Sequence, residues 1–445
     1  MPPMNETTVP ILEWGTLDQG GRNTALARPT AAVSRRVLQD VRRIVDEVRR
    51  DGDAAIARFT LALDGASLST FEVTDDEFAH AQAQLTAQQR AALERAIDNV
   101  RRFHEAQKQG ALSLETSPGV RCERIEVPIE SVGLYVPAGS APLPSTAVML
   151  AIPAAIAGCR TRILCTPPRR DGRADVAVLT AARMCGVSRV FKIGGAQAIA
   201  AMAFGTATVP KVDKIFGPGN AWVTAAKELV ASVPDGAARD LPAGPSEVLV
   251  IADDSARVEF VAADLLAQAE HSPDAQVLLV TTSAALALRV QEEITRRVAR
   301  LSRRPIIEAS LRAARIIRVA DLPAAFDVSN AYGPEHLIIA TEDARRWLPR
   351  VINAGSVFLG HWTPEPMGDY CSGTNHVLPT AGAARAVSGL ALADFSKRIT
   401  VQELTTAGLE DLGPIAETLA SLEGLDAHAQ AVSVRLRVLA SEPRP

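Results

Sequence analysis

Val190-Phe-Lys-Ile-Gly-Gly-Ala-Gln-Ala-Ile-Ala-Ala-Met-Ala203 decides the fold class. Val190–Ile193 reads as a short strand, Gly194-Gly195 breaks it, and a helix of small apolar residues follows over 196–203. Strand, glycine turn and helix in succession is the unit of a parallel sheet, because a parallel neighbour is reached only through a crossover. The pattern recurs on both sides. Upstream, Val132–Val136 and Arg162–Cys165 read as strands, with helical runs near 145–157 and 174–185. Downstream, Lys214–Phe216 is a strand, Gly217-Pro218-Gly219-Asn220 a turn, and 220–231 a helix. A second series follows: strand Val248–Ala252, helix Arg257–His271, strand Gln276–Thr281, helix Ala284–Leu301, then strands Arg315–Val319, His336–Ala340 and Ser356–Leu359. The break is the Pro/Gly-rich segment Asp240–Glu247. Amphipathic helix patterns run from Val33 through Val37, Val41, Ile44 and Val48, and from Gln88 to Gln107. The expected class is α/β, with two Rossmann-like doubly wound modules. One takes residues 32–134 plus 248–390 and the other 135–247, with a helical N-terminal arm over 1–31 and a small helical C-terminal tail domain over 391–445.

The 445 residues are 47% hydrophobic but only 4% aromatic, so the cores are aliphatic. A net charge of -4, with both signs spread along the chain, argues against nucleic acid or an anionic membrane as partner. The longest apolar run, Ala147–Gly158, is interrupted by Pro153 and falls well short of the roughly 20 residues of a membrane span. No basic start followed by an apolar stretch opens the chain, so no signal peptide is expected. Cys122, Cys159, Cys165, Cys185 and Cys371 include no C-x-x-C pair and are odd in number, which reads as reduced thiols of a cytoplasmic protein.

Gln268-Ala-Glu-His271 ends an apolar helix pattern. Residues three apart share a helix face, so an amide and an imidazole project together, as a metal held through oxygen and nitrogen requires. These are half of a site. Asp369, in the polar loop Met367–His376, is a third candidate ligand, and His376 a further one. Glu335-His336 stands where Gly333-Pro334 turns into a strand; a histidine is the natural base for a hydroxyl proton and a glutamate beside it suits activation of water. Alone, such a pair is more often a solvated surface feature. The turns Gly194–Gln197, Gly217–Asn220 and Pro137-Ala138-Gly139-Ser140 offer free N–H groups and helix starts to a pyrophosphate. None is a G-x-G-x-x-G, and α/β turns use glycine anyway. Ser246, in Leu241–Glu247, is either a substrate donor or part of a rigid linker. Glu423 and His428 read as tail surface. Cys371 is a candidate thiol nucleophile and Cys159 a second, against the commoner reading of inert thiols.

Seven segments, in this order, resemble the histidinol dehydrogenase family: Val132-Gly-Leu-Tyr-Val-Pro-Ala-Gly139, Gly194-Gly-Ala-Gln-Ala198, Phe216-Gly-Pro-Gly-Asn220, Leu241-Pro-Ala-Gly-Pro-Ser-Glu247, Gln268-Ala-Glu-His271, Tyr332-Gly-Pro-Glu-His336 and Gly368-Asp-Tyr-Cys-Ser-Gly-Thr-Asn-His376. The resemblance implies NAD-dependent oxidation of L-histidinol to L-histidine in two steps, the last of histidine biosynthesis. It implies one zinc ion per subunit and an intertwined homodimer with shared active sites. Carried over by motif, zinc falls to Gln268, His271, Asp369 and His428, the last from the partner subunit. Glu335 and His336 match the acid/base pair, and Ser246 and Glu423 match substrate-binding positions. Tyr135, Gln197 and Asn220 match positions that hold NAD. Ser272 and Cys371 depart from the family pattern, where a glycine and a smaller residue are usual. Four other readings stay open: a same-fold dehydrogenase of another diol such as a sulfonated one, a zinc-dependent hydrolase using Glu335, a thiol route through Cys371, and a non-catalytic metal-binding dimer. Glu423 weighs against the first, since a carboxylate repels a sulfonate.

Overall fold

A strand with no polar face must be covered on both sides, and the two strands at the middle of this chain are of that kind. All six residues of Glu247–Ala252 and all six of Gln276–Thr281 are buried. The computed structural model describes residues 8–29, 35–138, 141–242 and 244–441. Val33, Gly139, Ser140 and Ala243 of the expected elements lie outside them. In chain order the strands are β1 (Ile11–Glu13), β2 (Leu112–Ser117), β3 (Val120–Pro128), β4 (Ser131–Tyr135), β5 (Thr161–Thr166), β6 (Arg189–Lys192), β7 (Lys214–Phe216), β8 (Ala238–Arg239), β9 (Glu247–Ala252), β10 (Gln276–Thr281), β11 (Arg315–Arg318), β12 (His336–Ala340), β13 (Ser356–Leu359) and β14 (Ser396–Leu404).

The chain forms two compact units, Met1–Gln107 with Ile129–Asp394, and Lys108–Pro128 with Phe395–Pro445. The first holds two parallel sheets, ordered β1-β11-β10-β9-β12-β13 and β6-β5-β4-β7-β8. Counted from its own first strand, each runs 3-2-1-4-5, the Rossmann order, with β1 added at the edge of the larger sheet. Two doubly wound modules are therefore present, alike in topology. The second unit pairs β14, β3 and β2 antiparallel and adds the helices Thr406–Leu422 and Asp426–Ser441. No helix among the described residues is long and apolar enough to cross a membrane.

Three expectations differ from what is observed. The helices of 35–105 join the five-stranded module, not the six-stranded one: Arg35–Asp51 packs on the helices Gly195–Phe204 and Ala221–Ala231. Its Val41, Ile44, Val45 and Val48 share a core with Ile199 and Met202. Periodicity reveals that a face is buried, not what buries it. The boundary at 134/135 also cuts through β4. Finally, neither end is purely helical. The arm contributes β1 to a sheet and the tail contributes β14, which alternates polar and apolar residues on a largely exposed ladder.

Gly217 marks the switch point between β4 and β7. At φ +122 a side chain is strained there, and a Cβ would lie 2.1 Å from the Tyr135 carbonyl oxygen. The two strands separate at that point and leave a crevice.

Candidate active site

Parallel β9 and β12 begin side by side, His336 opposite Val248. At this amino end Glu335 and His336 bracket one residue: Glu335 Oε2 accepts from the Glu247 N–H at 2.8 Å, and His336 Nδ1 lies 3.0 Å from the Glu247 carbonyl oxygen. A carbonyl can only accept, so Nδ1 carries the ring proton and Nε2 is left as the basic nitrogen. Nε2 is buried with no hydrogen-bond partner, 3.6 Å from Asp369 Oδ1. Burial pushes the Glu335 carboxyl up to about 8, against the opposing pull of His336 and the Glu247 N–H. Burial alone would lower the His336 imidazole, but Glu365, Glu335 and Asp369 together raise it well above its ordinary value; a divalent cation held at these carboxylates would offset that pull and leave Nε2 free to accept a proton. Glu247 is itself anchored. Arg28 bonds both its carboxylate oxygens, at 2.5 and 2.9 Å, donates to the Tyr332 carbonyl and lies 3.9 Å over the Tyr332 ring. The arm thus reaches the peptide that orients the pair.

The helix Val258–Ala269 runs antiparallel to the strands and so ends at the same edge, with Gln268 fully buried in its last turn and His271 just beyond. Asp369 is buried in the short helix Glu365–Tyr370. One ligand atom each from His271, Glu365 and Asp369 lies within 4.8 Å of the others. A nitrogen and hard oxygens converging with no thiolate match a divalent ion such as zinc in an open, catalytic kind of site. His376 is not spare for this: Nδ1 donates to the Asp369 carbonyl at 2.8 Å and Nε2 lies 3.0 Å from Thr146 Oγ1, so it braces the Asp369 loop.

Ser246, Glu335, His336, Asp369 and His271 line one small cavity of about 130 Å³. It adjoins a larger one of about 530 Å³, and both are bordered by His271 and Tyr370. The larger cavity sits outside the carboxyl ends of β4 to β7, where doubly wound sheets bind nucleotides. Tyr135, Gln197 and Asn220 line it, with Asp64 and Arg303. Tyr135 Oη accepts from the Gly195 N–H at 3.0 Å, and Asn220 caps the helix Ala221–Ala231 through the N–H groups of Trp222 and Val223. Gln197 is buried, yet its Oε1 has no partner. An orphaned acceptor on a dinucleotide-sized cavity fits a ligand that brings its own donors, such as the amide or ribose of NAD.

Glu270, which lies between Gln268 and His271 in the sequence, borders the larger cavity. Glu423 and His428 belong to the second unit, where both are exposed: Glu423 ends the helix Thr406–Leu422 and His428 opens the next. Cys371 and Cys159 line neither cavity, and Cys159 is fully buried with its thiol pushed up to about 11. Sequence reasoning missed Glu365, Asp64 and Arg303. For Glu365 the available signal was a carboxylate between Pro364 and Pro366, just ahead of the polar loop.

A dinucleotide crevice opening onto a carboxylate–imidazole cluster defines an α/β dehydrogenase. The family model "Histidinol dehydrogenase" matches residues 26–436. Histidinol dehydrogenase of Xanthomonas axonopodis pv. citri (strain 306) is 54% identical over 430 residues, covering 97% of this chain and 100% of that protein. That of Vibrio vulnificus (strain YJ016) is 50% identical over 426 residues, covering 96% and 98%. The crystal structure of histidinol dehydrogenase from Elizabethkingia anophelis superposes with a TM-score of 0.93 at 42% identity, covering 98% and 99%. The chain belongs to the histidinol dehydrogenase family, and is an NAD-dependent oxidoreductase of histidine biosynthesis.

Proposed function

We propose that the chain oxidises L-histidinol to L-histidine through L-histidinal, passing two hydrides to NAD, as a zinc-dependent cytoplasmic homodimer whose tails complete shared sites. The observation that carries the reading is His336 Nε2, an unpartnered basic nitrogen facing a cavity beside Asp369. Gln268, His271 and Asp369, with His428 from a second copy, would hold the zinc. Bound there, zinc would hold the substrate's imidazole and amine and so fix its orientation. Tyr135, Gln197 and Asn220 would hold NAD, which would accept the hydride in each step.

In the first step His336 Nε2 accepts the hydroxyl proton as the carbinol C–H leaves as hydride, giving the aldehyde. The Nδ1–H bond to the Glu247 carbonyl holds the ring in place and stabilises its charged form. Glu335 then takes a proton from water as the oxygen adds to the aldehyde carbon, and the hydrate gives up the second hydride to become the acid. Ser246 donates to the substrate, and Glu423 from the second copy pairs with its amino group. A site closed by the second copy's tail would keep the aldehyde from escaping between steps.

Purified protein supplied with zinc, NAD and L-histidinol is expected to form two NADH per histidinol consumed. No NADH under these conditions sinks the proposal. Zinc per subunit, measured with and without His428→Ala, tests the shared site: full zinc retention at wild-type affinity removes His428 from it.

A further inference from the structure

We infer that Asp64 is a cofactor-binding residue that accepts from the adenosine ribose of the dinucleotide and selects NAD over its 2′-phosphorylated form. The inference rests on the larger cavity as the cofactor's place and adds a residue to its wall. In doubly wound nucleotide folds an acidic residue after the second strand takes the ribose 2′-hydroxyl. Here that strand is β5, and Pro167-Pro168-Arg169-Arg170 follow it, with no acid among them. Asp64 supplies the carboxylate from outside the sheet. It ends the π-helical turn Thr60–Asp64, which continues the helix Asp53–Phe59. Gln197 fixes its location: Nε2 donates to Asp64 Oδ2 at 3.5 Å, and Gln197 follows β6, the third strand of the module. Pro167, just beyond β5, lines the same cavity. Asp64 therefore stands on the β5–β6 side of the crevice, the side that carries the adenosine ribose when a dinucleotide spans such a sheet.

The carboxylate is poorly matched by the protein itself. Burial pushes it from an ordinary 3.8 up to about 6, and no cation among the described residues offsets this. It is still mostly ionised at neutral pH, with a long bond from Gln197 as its support. An ionised carboxylate can only accept, so the part of a ligand that suits it brings donors. In a dinucleotide the ribose hydroxyls do so and the pyrophosphate does not. Only the nitrogen end of the Gln197 amide can face a carboxylate, which turns Oε1 away, buried and without a partner. Two neighbouring acceptors match two neighbouring hydroxyls. A 2′-phosphate in their place would set its negative charge against Asp64 in a poorly solvated wall. Arg170 packs over Gly65 but does not line the cavity, and Arg303, which does, acts on His271 from the six-stranded module.

The test is calorimetric titration of the full chain, supplied with zinc, with no turnover involved. The probes are NAD, NADP and NAD lacking the adenosine 2′-hydroxyl. In the wild type, loss of that hydroxyl is expected to weaken binding roughly 10- to 100-fold, as loss of a hydrogen bond to a charged group does. Asp64→Ala is expected to bind NAD roughly 10- to 100-fold more weakly, and the missing hydroxyl should then cost little more. Asp64→Asn keeps an acceptor and sheds the charge. It is expected to lose less NAD affinity than Asp64→Ala and to narrow the preference for NAD over NADP by about tenfold or more. Both variants should fold, since a carboxyl that burial pushes up does not support the fold at neutral pH; unfolding followed by circular dichroism checks this. Equal losses on removing the hydroxyl in the wild type and in Asp64→Ala overturn the inference and leave Asp64 a brace for Gln197. So does an unchanged preference for NAD over NADP in Asp64→Asn. Tyr135→Phe and Asn220→Ala test the cavity itself: NAD affinity unchanged in both refutes the cofactor's placement, and the inference falls with it.

Discussion

His336 shows what a single residue owes to its backbone neighbours. Its tautomer follows from one contact, Nδ1 to the Glu247 carbonyl, and that contact follows from the register of β12 against β9. His336→Asn is expected to lower kcat by about 10² to 10⁴ while leaving NAD binding unchanged, read by steady-state kinetics and cofactor titration. Asp264 makes a second case. Burial pushes its carboxyl up from an ordinary 3.8 to about 7. A folded value above the unfolded one means that the folded state holds the proton longer. Stability then falls as pH rises through about 4 to 7 and levels off above. Asp264→Asn should remove this slope, so the variant gains on the wild type across that window, by at most about 4 kcal/mol. Urea unfolding across the range reads it; parallel profiles for the two proteins refute it. At this scale the sequence was informative where chemistry is local. Glu335-His336 and Gln268 with His271 stood out by residue type and spacing. Glu365 did not, because its meaning lies in its closeness to His271, almost a hundred positions away.

Elements were legible where burial is one-sided or complete. Nine strands of the two parallel sheets fall within a residue or two of the apolar runs that announce them, while β1 and β8 follow no such run. The antiparallel ladder was not legible, since β2 and β14 are largely exposed and carry charged and small polar residues that read equally as loop. Among the turns, the one after β7 is held by an ion pair buried to 4% and 2% exposure, Lys227 with Asp240. Lys227 Nζ donates to the Gly217 carbonyl at 2.8 Å, and the Gly217 N–H donates to Asp240 Oδ2 at 2.7 Å. The pair therefore holds both backbone polar groups of Gly217, beside the crevice. Asp240→Ala leaves a buried cation unpaired and is expected to cost about 3–5 kcal/mol, while Asp240→Leu with Lys227→Met should cost much less. Denaturant titration decides; a double variant as unstable as the single one contradicts this account.

On the scale of the molecule, the two-module plan was readable from the alternation of strands and helices, and the segment break fell where the chain passes from β8 to β9. The side taken by the helices of 35–105 was not readable, because either sheet offers an apolar face. Nor was β1, three residues long. Yet β1 covers the edge of β11, with Ile11 and Leu12 opposite Ile316 and Ile317. Deleting residues 1–29 should uncover that edge and free Glu247 from Arg28. The expected result is self-association by light scattering together with a large loss of turnover; a monodisperse, fully active product counts against both roles. The same pairing sets a clock. Glu13 and Arg318 are partners across 305 positions of chain. At a synthesis rate of about 5–20 residues per second, the first strand waits roughly 15–60 s for the partner it must meet. β1 can thus take its place only once β9, β10 and β11 have been made, although it precedes all three in the chain.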